Sequence, residues 1–162
     1  YRESFRPFAP SCIVEDVNEF FELTEPSPYM LLVANVQEKR RLQMTKDQES
    51  LFGIEKLNVP RSDIPAITHV DHSARVQTAD ALAHPQHHAM ISTFKERTGS
   101  GVIINPTVTE RGEPIVCTPR DAYLCFMRTE MEVLVLEDCV LHKAEQPELT
   151  EEKDWRKVYE LD

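Results

Sequence analysis

Apolar positions along the chain fall into short blocks separated by polar stretches rich in proline. The block "PYMLLVANV" (28–36) has the length and content of a buried strand. "GVIIN" (101–105), "VLVLED" (133–138) and "CVLHK" (139–143) read as further strands, and "AITHV" (66–70) and "ARVQTAD" (74–80) as two short ones joined by the turn-like Asp71-His72-Ser73. Helical spacing appears in three places. "EDVNEFFEL" (15–23) is a short amphipathic helix, and "HPQHHAMISTFKERTG" (84–99) a longer one, with Met90, Ile91, Phe94 and Thr98 on one face and Gly99 as its stop. "TPRDAYLCFMRTE" (118–130) opens with Thr118 as N-cap, Pro119 at the first helical position and Asp121 three residues after the cap, a close relative of the capping box. That helix buries Ala122, Cys125, Phe126 and Thr129. "FRPFAP" (5–10) is extended, because each proline moves the residue before it out of the helical region. Residues 37–60 are polar and charged without clean periodicity and read as an exposed insertion or lid. Helices alternating with apolar strands predict an α/β fold, a mixed sheet with flanking helices.

Composition narrows the class. The chain has 162 residues, 41% hydrophobic and 28% charged, enough for one domain with a proper core. No apolar run approaches the roughly 18 residues that a membrane span needs, so no membrane partner is expected. The chain begins at Tyr1 without an apolar leader, and the expectation is a piece of a longer protein. Cys12, Cys117, Cys125 and Cys139 show no paired spacing, which predicts reduced, mostly buried thiols and a cytoplasmic setting. The net charge of −10 argues against nucleic acid as a partner. Acidic residues concentrate in 144–162, a helical tail with seven carboxylates against three bases. Arginines stand beside Pro and Gly punctuation at Arg2, Arg6, Arg75 and Arg111, placed either for an anionic ligand or for ordinary ion pairs.

The histidines invite a metal reading that the spacing does not support. His84, His87 and His88 cluster at one helix start, but Pro85 puts His84 at the cap and no acidic third ligand follows. No metal site is expected in this chain. No cysteine has flanks that would activate it, and four glycines leave no phosphate-binding GxxxxGK[ST] loop.

The most loaded segment is "INPTVTERGEPIVCTPRD" (104–121). Asn105-Pro106 turns the chain out of a strand, and Thr107 and Thr109, two apart in an extended stretch, present their hydroxyls on one face. Arg111-Gly112-Glu113-Pro114 reads as a tight turn, and Thr118 fixes the loop from behind. Arg75, between Ala74 and Val76, projects from the opposite face to theirs.

Together, "RESFRPFAPS", "ITHVDHSARVQT" and "TFKERTGSGVIINPTVTERGEPIVCTPRDAYLCFMRTEMEVLVL" resemble the C-terminal region of the O-carbamoyltransferases. That family includes nodulation protein U and the carbamoyltransferases of antibiotic biosynthesis. The resemblance covers most of the chain apart from 37–60 and the tail. It implies a YrdC-like domain over 1–143, its N-terminal part missing, with a twisted mixed sheet. It further implies an enzyme that condenses ATP with carbamoyl phosphate to give carbamoyl adenylate and pyrophosphate. An actin-like domain of the same longer chain, which would carry the metal ion, then passes the carbamoyl group to a hydroxyl of a small molecule such as an antibiotic or secondary metabolite. The fragment alone is expected to be inactive.

Carried over by motif, Arg75 and Thr107 would be catalytic, and Arg2, Arg6, Asn105 and Thr109 would bind nucleotide. Arginine suits phosphate because its planar fork donates twice to one anion. The departures are specific. Thr107-Val108-Thr109 replaces a Ser-x-Asn, His72 and Ser73 replace Gly and Thr of the turn before Ala74-Arg75, and the lysine of a Lys-x-Arg would precede Tyr1. They leave open a non-catalytic nucleotide-binding or interaction domain, and an enzyme making threonylcarbamoyl adenylate for tRNA modification.

Overall fold

One of the two inner strands of the main sheet is hidden from the hydrophobic pattern by its prolines. In the computed structural model, which describes residues 7–105 and 116–149, Ala9–Ile13 (β1) lies between two partners and is buried along its whole length. Pro10 fits the extended backbone with its fixed φ but has no N–H to give to the ladder. The described residues form two compact units, 7–105 and 116–149.

The first unit continues with α1 (Val17–Phe20), β2 (Leu32–Asn35), α2 (Lys46–Glu49), α3 (Gly53–Leu57), β3 (Ser73–Ala79), α4 (Pro85–Thr98) and β4 (Val102–Asn105). The strand order is β2-β3-β1-β4. β1 runs parallel to β3, with Ser11 opposite Gln77, and antiparallel to β4, with Ala9 opposite Asn105. β2 joins β3 antiparallel, Val33 opposite Arg75. The mixed α/β class read from the sequence holds.

Alternation along the strands sorts residues onto two faces. One face carries Cys12, Ala34, Ala74 and Val76, which pack with Val17, Phe20, Phe21, Val36 and Ile67 into the main core. Each of the larger side chains, fully buried, contributes about 1.5–3 kcal/mol. The other face is covered at one end by α4, whose Ile91 meets Ile13 and Ala79, with Ile103 beside them.

Several elements differ from expectation for identifiable reasons. β2 is an edge strand rather than a buried one: Val33 is exposed because it faces away from the core, and Leu32, on the same side as Ala34, is exposed at the start of the strand. "AITHV" begins as a 3-10 turn (Pro65–Ile67) rather than a strand, started by Pro65 and held by Thr68 Oγ1 donating to the Ile64 carbonyl and meeting Ser62 Oγ at 2.7 Å. On α4 only Ile91 is buried, while Met90 and Phe94 are exposed, since a single sheet end contacts that helix. The stop itself is as read, with Gly99 at φ 78°. Within 37–60, Arg40 pairs with Glu19 and Asp63, and Arg41 with Glu22.

The second unit contains α5 (Pro119–Arg128) and a hairpin of β5 (Val133–Leu136) and β6 (Cys139–His142). α5 starts with a complete capping box between Thr118 and Asp121, and it buries Ala122, Cys125 and Phe126. Thr129 is half-buried, its hydroxyl donating to the Cys125 carbonyl. Cys12 and Cys125 are buried and Cys117 and Cys139 exposed, and none of the four forms a disulfide, so the expectation of mostly buried thiols holds for two of them. The tail beyond residue 149 lies outside the described residues.

Candidate functional site

The end of the second sheet face that α4 leaves uncovered carries the polar residues. Arg75 and Gln77 alternate with buried Ala74, Val76 and Thr78 along β3, so both side chains stand on this face. Arg75 is exposed and, among the described residues, has no ion pair and no side-chain hydrogen bond. Its cross-strand neighbour is Val33, an apolar residue. Arg40, Arg41 and Lys95 all hold carboxylates, which makes an unpaired strand arginine in an acidic chain informative.

Beside it lies a pair of amides. Asn105 Nδ2 donates to Gln77 Oε1 at 2.5 Å, and Gln77 Nε2 donates to the Pro28 carbonyl at 3.1 Å. The first bond crosses β1 diagonally, since Asn105 is opposite Ala9 and Gln77 opposite Ser11, two small residues. Pro28 is held in turn, because Ser27 N donates to Thr78 Oγ1 at 2.8 Å and Thr78 N to the Ser27 carbonyl at 3.0 Å. Next along β1, buried Ser11 meets His87 Nε2 of α4 at 2.8 Å. Burial, with His84 nearby, holds the His87 pKa below the usual 6.5.

The structure therefore brings Arg75 and Asn105 to one face and links the second of them to Gln77. Arg2, Arg6, Thr107 and Thr109 lie outside the described residues. Gln77 and Ser11 were missed because neither residue type signals chemistry by itself, and only strand register sets them beside Arg75 and Asn105. A separate groove of about 940 Å³ is lined by Phe8, Leu57, Arg61, Thr68, His69 and Asp71 among others. There Arg61, 6% exposed, donates to the carbonyls of Lys56, Leu57 and Val59 and so fastens the end of α3. Ser73 Oγ lies 2.6 Å from Asp71 and 3.2 Å from His69 Nδ1, but Ser73 is buried, and the histidine does not stand between serine and acid as nucleophilic catalysis requires. Burial raises the Cys12 thiol to about 12, removing it as a nucleophile. Among the described residues no three His, Cys, Asp or Glu side chains are grouped to hold a metal ion, and no helix is long and apolar enough to cross a membrane.

The turn before β3 accounts for one departure from the family motif. His72 sits at φ 65°, a conformation that favours glycine, which is the residue the related pattern has there.

The first unit is thus an α/β fold that sets an arginine and a hydrogen-bonded amide pair on one sheet face. The chain belongs to the carbamoyltransferase C-terminus family, whose model matches residues 1–143. It is 57% identical over its full length to an uncharacterized protein of Synechocystis, covering 26% of that protein. It is 37% identical over 145 residues to nodulation protein NolO of Bradyrhizobium diazoefficiens, with 88% of the chain and 23% of the relative covered. With 3'-hydroxymethylcephem-O-carbamoyltransferase of Amycolatopsis lactamdurans it shares 32% identity over 144 residues, covering 89% and 24% respectively. The chain thus spans about a quarter of the length of these relatives.

Proposed function

We propose that this chain is the adenylate-forming part of an O-carbamoyltransferase, using ATP and carbamoyl phosphate and working with a further, actin-like domain of the same longer protein. The observation that carries the reading is Arg75, exposed on a sheet face beside Gln77 and Asn105 and without an ion pair or side-chain hydrogen bond among the described residues. Membership of the family and the likeness to a cephem O-carbamoyltransferase support it, and the acceptor proposed with it is a hydroxyl of a small molecule, an antibiotic or another secondary metabolite. The setting that goes with these substrates is the cytoplasm.

Atom balance defines the chemistry. Carbamoyl phosphate loses its phosphoryl group to water as inorganic phosphate, leaving carbamate. The carbamate oxygen then attacks the α-phosphorus of ATP, and the bond to the β-phosphate oxygen breaks to release pyrophosphate. Negative charge builds on the α-phosphoryl oxygens, where a guanidinium donating twice lowers the barrier. Arg75 takes that role, with Thr107 donating a hydroxyl and Arg2, Arg6 and Thr109 binding the nucleotide. Transfer to the acceptor, and any metal ion, belong to the other domain.

The test uses the full-length protein with ATP and carbamoyl phosphate. Pyrophosphate and phosphate should appear one for one, and Arg75→Lys should lower kcat/KM by about tenfold or more with unchanged melting, since charge stays while the fork is lost. Thr107→Val should do likewise and Thr107→Ser nearly nothing. Unchanged kinetics in Arg75→Lys would remove Arg75 from the site. Pyrophosphate release that requires threonine and bicarbonate would replace this reading with threonylcarbamoyl adenylate synthesis, and no release at all would leave a non-catalytic domain.

A further inference from the structure

The chain of amides from Pro28 to Asn105 has a fixed polarity, and that polarity decides what Asn105 can recognise. A backbone carbonyl only accepts, so the group of Gln77 facing Pro28 must be its NH₂. Gln77 Oε1 is thereby committed as the acceptor turned toward Asn105, and Asn105 must offer Nδ2 to it. An asparagine amide has one acceptor oxygen and two N–H donors. One donor is used here, which leaves Asn105 with Oδ1 and a single N–H. The side chain is half-buried and has no other partner among the described residues.

An edge with one acceptor and one donor complements a ligand that is itself a primary amide. Carbamoyl phosphate has such an end, an NH₂ beside a carbonyl. Acetyl phosphate has the same size and charge but places a methyl group where the amine would be. Arg75 and Gln77 are two positions apart on β3, about 7 Å, so the amide pair stands one small group away from an anion held at Arg75. That separation suits a group bonded directly to the phosphate better than an adenine ring, which a ribose holds further off.

We propose that Asn105 selects the carbamoyl group by accepting a hydrogen bond from its NH₂ through Oδ1, and that Gln77 is the positioning residue that fixes the Asn105 amide in the required orientation. The selection presupposes the adenylate-forming reading of the site. It assigns Asn105 to the carbamoyl end rather than to the nucleotide, and it gives Gln77 a part that its residue type does not announce. A half-exposed bond of this kind discriminates by about tenfold, less than the selectivity of fully enclosed sites because water can still reach the unpaired oxygen.

The measurement is competition in the full-length protein, read as the ratio of the acetyl phosphate inhibition constant to the carbamoyl phosphate KM in pyrophosphate release. Gln77→Met keeps length and removes both hydrogen bonds, which frees Asn105 to turn. Asn105→Leu removes the reading edge. Each should lower the ratio about tenfold while leaving the KM for ATP and the preference for ATP over GTP unchanged. Arg75→Lys should weaken both phosphates alike and leave the ratio where it was. Melting curves and the ATP KM show whether a variant is folded. Gln77→Glu is the control, since its carboxylate still accepts from Asn105 although it cannot donate to Pro28, and it should keep the ratio that Gln77→Met loses. Unchanged ratios in folded Asn105→Leu and Gln77→Met, or a lost preference for ATP over GTP in Asn105→Leu, would overturn the proposal. A wild-type protein that releases no pyrophosphate would overturn the underlying reading, an outcome distinct from wild-type turnover with unaltered selectivity.

Discussion

Ser11 and His87 meet at 2.8 Å across the junction of the inner strand β1 and the long helix α4, joining a fully buried hydroxyl to an imidazole. His87 has its pKa lowered, first by burial and then by His84. The unfolded chain, with the ordinary value, therefore binds more protons than the native state between the native pKa and 6.5. Its contribution to stability is complete above 6.5 and is lost as pH falls toward the native pKa. Urea midpoints at pH 7.5 and 5.5 should show a steeper acid loss in the natural protein than in His87→Gln, which has no proton to gain. Equal slopes would mean that His87 titrates normally.

Gly101 has no space for a side chain. A Cβ there would lie 2.7 Å from Asp16 Oδ2, and that carboxylate is tied to Lys95 Nζ at 2.6 Å. Gly101→Ala should cost about 1–3 kcal/mol through overpacking. In an Asp16→Ala background the same change should cost much less. Additive losses in the double variant would locate the strain elsewhere.

The Thr118 cap gives a local test in the second unit. Thr118 Oγ1 accepts from Asp121 N, and Thr118 N donates to Asp121 Oδ2 at 2.9 Å. Thr118→Ala should weaken α5 by about 1 kcal/mol. The hydrogen bonds from Thr118 lower the Asp121 pKa below 3.8, so this support is present above that pH and disappears as pH falls through the native value. Acid unfolding followed by helical circular dichroism should begin at higher pH in Asp121→Asn. Coincident curves would show that the box adds nothing.

His72 is strained where it stands. A non-glycine residue in left-handed backbone costs about 1–2 kcal/mol, and its Nδ1 is buried without a partner among the described residues. His72→Gly should raise the melting temperature by a few degrees, and His72→Val should lower it. A destabilised glycine variant would show that the imidazole packs well enough to offset its backbone.

What the sequence made legible follows from how local each signal is. The Thr118 box and the Gly99 stop depend on residues within one turn, and both read correctly. β1 did not, because Phe8-Ala9-Pro10 looks like a proline-bound extended segment and its burial comes from two strands far along the chain. β2 looked buried because composition reports apolar content and says nothing of edge position. Arg75 was legible through alternation with Ala74 and Val76. Gln77 was not, since its bond to Asn105 exists only in a register that sets Gln77 opposite Ser11 and Asn105 opposite Ala9.

The position of β1 also governs the order in which the fold can assemble. Ser11 finds Gln77 only 66 positions later (77 less 11), and the β4 partners follow later still. Closing a loop of that length costs about 3 kcal/mol more entropy than closing the β5–β6 hairpin, whose strands nearly touch in sequence. Of the strands of this sheet β1 is therefore made first and gains its second partner only when β4 follows, an order associated with slow, non-local folding. Its Pro10, which cannot donate to a neighbour's backbone, makes the waiting strand a poor template for stray partners.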